Sequence, residues 1–256
     1  MKKIIKTIVL VILIVLFVIT GVFIYNHETT KYGIPIIGYH GVVEDVEKEA
    51  NYKDNHYFLS KSMFQRQMQY LYDHGYQTLT LDQVYDYYQG NMDVGEKVVV
   101  LTFDDGYKNF NTIVKPILEQ YQFQGTCFVI GKHLNDSSNS FLKTEDILNT
   151  KYVQYYSHSY NLHQKADGFD KKIIETLSLE EIDQDFDDSK VDHTYFAFPY
   201  GRTRDDINPI LEKHQVKMAF SYNQIRHLTR NDDIYKLPRY LMLDIMPDFY
   251  FHWIVE

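Results

Sequence analysis

One apolar run in this 256-residue chain ends abruptly in two adjacent carboxylates and a glycine. The run, Val98–Phe103, is typical of a buried β-strand, and it leads directly into Asp104, Asp105 and Gly106. Burying two neighbouring acids at a strand end is costly, because desolvation and mutual repulsion both oppose ionisation. The pair becomes tolerable if a metal cation takes one carboxylate and a reaction uses the other. An ordinary Asp-Asp-Gly turn is the alternative that these residues leave open.

Two histidines about fifty residues further along the chain can complete a metal site, since two imidazoles and one carboxylate are a common set of ligands for a divalent ion. His158 and His163 are five residues apart. A regular helix would point them about 140° away from each other, and a straight strand would place them on opposite faces. Both can reach one ion only if the chain turns between them, and residues 159–161 (Ser-Tyr-Asn) are suitable for a turn.

A third segment, Phe196–Gly201, is another apolar strand that stops at a Pro-Tyr-Gly turn. Together, the three segments resemble the polysaccharide deacetylases of the NodB-homology group, carbohydrate esterase family 4. Thr102–Gly106 matches the first motif of that family without a change. Ser157–His163 resembles the metal-histidine motif in its longer-spaced form, and Phe198–Gly201 resembles the third motif. The resemblance extends from about Pro35 to the C-terminus and implies a distorted (β/α) barrel.

One branch of the family gives the better match, that of the extracellular poly-β-1,6-N-acetylglucosamine deacetylases. Its members begin with an apolar strand that leads to Tyr-His, as Pro35–Val42 does here, and the resemblance makes His40 the candidate catalytic acid. His252, near the C-terminus where other branches place this acid, is the weaker alternative. Many members carry an arginine at the position of Ala197, and Arg239 is a possible substitute for its guanidinium. A clear fourth-motif Asp and Trp pair is absent from the sequence.

The resemblance implies a metal-dependent N-deacetylation. A divalent cation, with zinc expected and cobalt, nickel or manganese as alternatives, would be held by Asp105, His158 and His163. Asp104 would accept the proton of the attacking water, and His40 would protonate the departing sugar nitrogen, which is a poor leaving group as a free amine. The backbone N–H of Tyr200 would help to stabilise the oxyanion. The products would be acetate and a free amine on the sugar.

Length and periodicity agree with one α/β domain. Helical spacing predicts a helix over Ser62–His74 that stops at Gly75, and another over Asn109–Tyr121 in which Pro116 indicates a kink or a later start. An acid-rich stretch, Glu180–Asp188, is interpreted as a solvated helix face or loop. Strand-like runs alternate with these helices, at Ile34–Tyr39, Val98–Phe103, Thr126–Ile130, Val153–Ser157 and Tyr195–Phe198.

The N-terminus indicates a membrane location. Lys2, Lys3 and Lys6 precede Thr7–Tyr25, nineteen residues without a charge, which is just long enough to cross a hydrocarbon core of about 30 Å. The positive flank favours a cytoplasmic N-terminus and an exported remainder. We therefore expect residues 1–29 to be a single-pass signal anchor with a short linker. Residues 30–256 would form the catalytic domain on the outer face of a bacterial cell membrane, or a secreted domain if the segment is cleaved.

The predicted substrate is an extracellular N-acetylglucosamine polymer, with the biofilm polymer poly-β-1,6-N-acetylglucosamine first. Peptidoglycan or another wall polysaccharide is the alternative within the same chemistry, and a non-catalytic surface glycan-binding protein is the alternative from another class. A net charge of −9 argues against nucleic acid or an anionic polymer as a partner. The same negative charge could favour the binding of a glycan that becomes cationic as its acetyl groups leave.

Overall fold

A computed structural model describes residues 2–166 and 171–256. Its strands, in chain order, are β1 (Ile36–Tyr39), β2 (Gly41–Val43), β3 (Phe58–Ser60), β4 (Gln77–Thr78), β5 (Val98–Phe103), β6 (Gly125–Val129), β7 (Val153–Ser157), β8 (Tyr195–Ala197), β9 (Met218–Phe220) and β10 (Tyr240–Leu241). Its α-helices are α1 (Lys2–Thr30), α2 (Asp45–Asn51), α3 (Lys61–Asp73), α4 (Leu81–Tyr88), α5 (Lys115–Tyr121), α6 (Leu179–Asp188), α7 (Asn208–Lys213) and α8 (Asp248–Val255).

The main sheet is parallel and curves round on itself. Its strand order is β10-β1-β5-β6-β7-β8-β9, and β4 pairs with β5 as well. The segment after α7 joins the two edges: Leu237 pairs with Phe220 at the end of β9, and Tyr240 in β10 pairs with Ile37 of β1. This closed parallel arrangement, with helices packed outside it, is the distorted (β/α) barrel that the sequence predicts.

Strand β5 is buried on both faces, as expected for a central parallel strand. Val99, Leu101 and Phe103 face the outer layer, where they pack with helices α3 and α5. Val98 and Val100 face the barrel interior. Because side chains alternate along a strand, the residues that continue the inward series beyond Val100 are Thr102 and Asp104. The alternation of side chains along β5 therefore places the carboxylate of Asp104, which directly follows the strand, at the mouth of the barrel.

Most predicted elements lie within one or two residues of the observed ones. Strands β5 and β7 have the predicted bounds, and α3 begins one residue earlier than expected. The predicted helix at Asn109–Tyr121 is a π-helical turn, Phe110–Val114, followed by α5, which places Pro116 in the first turn of the α-helix. The later start is therefore the correct alternative. Short strands β2, β3, β4, β9 and β10 were not among the predicted runs.

Helix α1 is long and apolar enough to cross a membrane and is the one helix of this kind among the described residues. It continues past the apolar segment to Thr30, and its last turns pack on the rest of the molecule. His27 stacks on Trp253 of α8 with 4.1 Å between ring centroids, and Thr30 Oγ1 accepts the backbone N–H of His227 at 3.0 Å. The end of α1 is thus in direct contact with the domain that follows it.

Candidate active site

The turn after β5 separates the two adjacent carboxylates. Asp105 and Gly106 both adopt positive φ angles, 75° and 74°. At Gly106 a Cβ would lie 2.9 Å from Val129 Cγ1, so both the conformation and the space require glycine. The turn reverses the side-chain direction, so that Asp104 lies against the barrel interior and Asp105 faces the residues that follow β7. Both carboxylates are buried.

The two predicted histidines follow β7 and are brought to one side by a turn, as the spacing requires. Ser159 takes a left-handed φ of 71°, and its Oγ accepts the N–H of Leu162 at 3.1 Å. The turn is also held from below by Asp185, whose two carboxylate oxygens accept the backbone N–H groups of Tyr160 at 2.8 Å and Asn161 at 2.7 Å.

Asp185 corrects part of the interpretation of the acid-rich stretch Glu180–Asp188. The stretch is a helix, α6, but Asp185 is buried in it rather than solvated. Burial raises the pKa of Asp185 to about 6, against the opposing effect of its two backbone hydrogen bonds. The sequence carried one indication, since Asp185 lies three residues after Ile182 and one before Phe186, on the apolar side of the helix.

Three donor atoms converge beside this turn. Asp105 Oδ1 lies 3.6 Å from His158 Nε2 and 3.5 Å from His163 Nε2. Tetrahedral ligands at zinc-like bond lengths of about 2.1 Å are separated by roughly 3.4 Å, so the spacing suits a shared ion. Sequence reasoning therefore placed these three residues together correctly.

The protonation of His158 indicates that a cation belongs between these atoms. Its Nδ1 lies 2.7 Å from the carbonyl oxygen of Ala197, which can only accept, so Nδ1 carries the proton. Burial lowers the pKa of His158 to about 3, which leaves Nε2 as a bare lone pair. This lone pair faces Asp105 Oδ1, a buried oxygen with no hydrogen-bond partner among the described residues. Two buried acceptors facing each other repel, and the residues present therefore fit a divalent cation.

The second carboxylate, Asp104, is bound by an arginine and a tyrosine. Arg239 Nη1 donates to Oδ1 at 2.7 Å and Nη2 to Oδ2 at 2.9 Å, while Tyr222 OH donates to Oδ2 at 2.7 Å. Burial alone would raise the pKa of Asp104, but the Arg239 guanidinium and the nearby imidazoles outweigh it and hold the pKa well below its usual range. Arg239 is fully buried, and Thr102 Oγ1 accepts a further bond from it at 3.1 Å.

Tyr222 was missed at the level of sequence. Two glycines make room for its ring, since a Cβ at Gly38 would lie 2.7 Å from it and one at Gly201 would lie 3.0 Å from it. Both glycines stand in segments that the sequence singled out, so their small size was a signal for a bulky neighbour. The sequence does not say which of the many aromatic residues that neighbour is.

His40 lies at the end of β1 and lines the same cavity as the two carboxylates. Its ring is packed against Tyr57, with 4.9 Å between centroids, and its Nδ1 is buried with no hydrogen-bond partner in the described part of the chain. His252 lies elsewhere, stacked on Tyr70 at 3.8 Å in a separate surface depression. His40 therefore lines the cavity that holds the two carboxylates, whereas His252 does not, and the role of His40 as the acid remains a prediction.

Tyr200 also reaches the cavity. It adopts a positive φ of 57°, and its ring stacks on His163 with 4.1 Å between centroids. The cavity has a volume of about 560 Å³, within the range of small-molecule sites. Further aromatic side chains line the cavity, namely Tyr57, Phe58, Tyr107 and Tyr222. A role for the Tyr200 backbone N–H remains a prediction.

Relatives of known activity are similar to this chain in sequence. A poly-β-1,6-N-acetyl-D-glucosamine N-deacetylase of Staphylococcus aureus is 26% identical over 202 residues, which cover 73% of this chain and 69% of the relative. The same activity is assigned to a relative in Escherichia coli that is 27% identical over 149 residues, covering 51% of this chain and 21% of the relative.

Solved structures share the fold. The deacetylase PplD of Streptococcus pyogenes, determined in complex with acetate, superimposes with a TM-score of 0.74 at 25% identity and covers 88% of this chain and 98% of its own. IcaB from Ammonifex degensii superimposes with a TM-score of 0.72 at 22% identity, covering 88% and 97%. The family model for polysaccharide deacetylases matches residues 91–219, which include both carboxylates and both histidines. The chain belongs to the polysaccharide deacetylase family of carbon–nitrogen hydrolases.

Proposed function

We propose that this polysaccharide deacetylase removes N-acetyl groups from an extracellular N-acetylglucosamine polymer, and that its substrate is poly-β-1,6-N-acetylglucosamine. The observation that carries the chemistry is the pair of buried acceptors, His158 Nε2 and Asp105 Oδ1, which face each other 3.6 Å apart. They and His163 would hold a divalent cation, with Zn²⁺ first. When bound, such an ion polarises the acetamide carbonyl and acidifies a water.

Asp104 is the proposed general base. Its bidentate pairing with Arg239 fixes the orientation of the carboxylate, and the lowered pKa keeps it ionised at neutral pH. It would accept the proton of the attacking water. The hydrogen bond from Tyr222 OH to Oδ2 limits the directions from which that water can approach.

His40 is the proposed general acid. It follows β1, whereas the histidine turn follows β7, and it lines the cavity beside Tyr57. It would deliver a proton to the sugar nitrogen as the carbon–nitrogen bond breaks, because an unprotonated amine leaves poorly. Tyr200, stacked on His163, would contribute its backbone N–H to the developing oxyanion.

The substrate assignment is supported by the relatives and by the cavity wall. The relatives with an assigned activity act on poly-β-1,6-N-acetyl-D-glucosamine. Aromatic faces such as those of Tyr57, Phe58 and Tyr107 pack well on pyranose rings.

A retained membrane anchor is part of the proposal, with residues 1–29 as the anchor segment and residues 30–256 as the catalytic domain outside the cell. The contacts of His27 with Trp253 and of Thr30 with His227 support it, since cleavage after the apolar segment would remove or cut an element that packs on the domain. The intact mass of the protein extracted from membranes tests this. A mass that corresponds to a chain beginning after residue 20 would refute a retained anchor.

Acetate release from a panel of glycans tests the activity. The panel contains β-1,6 and β-1,4 N-acetylglucosamine oligomers and peptidoglycan strands. We expect the metal-loaded protein to release most acetate from the β-1,6 oligomers, and we expect His40→Ala to lose that activity with its metal content unchanged. Loss of the metal in His40→Ala would refute its role as the acid. Absence of acetate from every glycan would support a protein that only binds them.

A further inference from the structure

Three basic side chains line the cavity around the histidine turn and the third motif. They are Lys165, Lys172 and Arg202. Lys172 Nζ lies 4.3 Å from the ring centroid of Tyr200, and the Tyr200 ring stacks on His163. Lys172 therefore lies one aromatic ring away from a proposed metal ligand. Lys165 and Arg202 are exposed to solvent.

The carboxylates of the cavity do not offset this charge. Among the described lining residues the acids are Asp104 and Asp105, both on the floor. Asp104 is neutralised by the bidentate guanidinium of Arg239, and Asp105 is a proposed ligand of a divalent ion. No ion pair within the described ranges, 2–166 and 171–256, joins a carboxylate to any of the three cations. Among the described residues that line the cavity, three cations therefore stand against two acids that are already engaged, although the whole chain has a net charge of −9.

The sign of this local field matters for a deacetylase, because each reaction turns a neutral acetamide into an ammonium group. A positive wall repels a segment that already carries a free amine and attracts a segment that carries an anion. The net charge of the protein favours the reverse, the binding of a glycan that becomes cationic. Close to the cavity, however, the charges of Lys165, Lys172 and Arg202 act on the glycan more strongly than the distant acids of the surface.

We infer that the cavity selects its glycan by charge: it prefers segments with an anionic substituent, a phosphate or a carboxylate, next to the acetylated residue and disfavours segments with a glucosamine there. The inference rests on the proposed N-deacetylase activity and specifies its substrate class. It also implies that free amines become spaced apart along the glycan, because a first deacetylation disfavours reaction at the neighbouring sugar.

The test uses the full chain, loaded with Zn²⁺, and four β-1,6 oligomers of equal length. One is fully acetylated, one contains a single glucosamine, one carries a phosphate monoester and one carries a free carboxylate group. At low salt we expect kcat/KM to be about ten-fold higher for an anionic oligomer than for the neutral one, because each of the three cations should contribute a factor of about two to three. For the glucosamine oligomer we expect kcat/KM to be lower than for the neutral one. High salt removes these differences.

The variant that tests the residues is Lys172→Gln combined with Arg202→Gln, which we expect to reduce the preference to about three-fold or less. The matched control is Lys213→Gln, an exposed lysine paired with Asp183 away from the cavity, which keeps the full preference. Higher rates with the phosphate arm, the carboxylate arm or both support the inference and identify the anion. Equal kcat/KM on all four oligomers overturns it while the proposed activity stands, whereas no acetate from any oligomer, the neutral one included, overturns the activity itself.

Discussion

Asp185→Ala tests whether the buried acid of α6 positions the two metal-binding histidines. Both oxygens of its carboxylate are used, one by the N–H of Tyr160 and one by that of Asn161. These two peptide groups lie in the turn between His158 and His163. The carboxylate therefore fixes the turn that brings the imidazoles to Asp105.

The magnitude follows from what the substitution leaves behind. Alanine leaves two partly buried N–H groups without their acceptor, at about 1–3 kcal/mol each. The loss is reduced because the substitution also removes a carboxylate that burial disfavours, as its pKa of about 6 indicates. We expect the free energy of unfolding to fall by about 1–3 kcal/mol. Zn²⁺ affinity should fall by about 10–100-fold, as for other residues that orient metal ligands.

The assay is competition between the protein and a chelator for Zn²⁺, at a temperature at which circular dichroism finds every variant folded. Asp185→Asn keeps the shape and one acceptor, so its affinity should lie between those of the wild type and Asp185→Ala. Asp188→Ala, which removes an exposed acid on the same helix, is the matched control and should bind Zn²⁺ like the wild type. Wild-type Zn²⁺ affinity in a destabilised Asp185→Ala protein would refute the positioning role and leave only a structural one.

Three further substitutions probe other parts of the molecule. Tyr222→Phe removes the hydrogen bond to Asp104 and should lower kcat about ten-fold with the metal retained; loss of the metal in this variant would contradict the separation of the two carboxylates. Burial, aided by a neighbouring imidazole, lowers the pKa of His227 to about 4, so its neutral form stabilises the fold at neutral pH and that stability is lost as the pH falls from about 6.5 toward 4. The wild type in detergent should therefore lose about 2 kcal/mol of unfolding free energy between pH 7 and pH 5 that His227→Gln does not lose, and an equal loss in both would contradict this assignment. Gly106→Ala should destabilise the fold by about 1–3 kcal/mol more than Gly75→Ala, because both have a positive φ but a Cβ has open space only at position 75; equal losses in chemical denaturation would argue against crowding at the active-site turn.

The parts of the fold that the sequence predicted are those with a strong local pattern. Strand β5 is a continuous apolar run and is buried on both faces, and helix α3 has a regular apolar stripe. Strands β9 and β10 have only three and two residues, and pairing with neighbours rather than their own composition defines them. Local periodicity carries no signal for such short pieces.

The residues of the candidate site also fall into two groups, those that a local sequence motif predicts and those that it does not. Asp104, Asp105, His158 and His163 stand in contiguous motifs, and the turn required between the histidines is present. Asp185 and the ring of Tyr222 reach the site only through packing between distant elements. Helix α6 carries five other acids besides Asp185, so its composition concealed the one that is buried.

Metal content and acetate release measured together on Asp104→Asn test the division of labour between the adjacent carboxylates most directly. If Asp105 and the two histidines hold the ion while Asp104 acts on the water, the variant will bind one Zn²⁺ per chain, like the wild type, and will release no acetate from β-1,6 N-acetylglucosamine oligomers. A variant that has lost its Zn²⁺, or one that still releases acetate at the wild-type rate, would contradict the assignment.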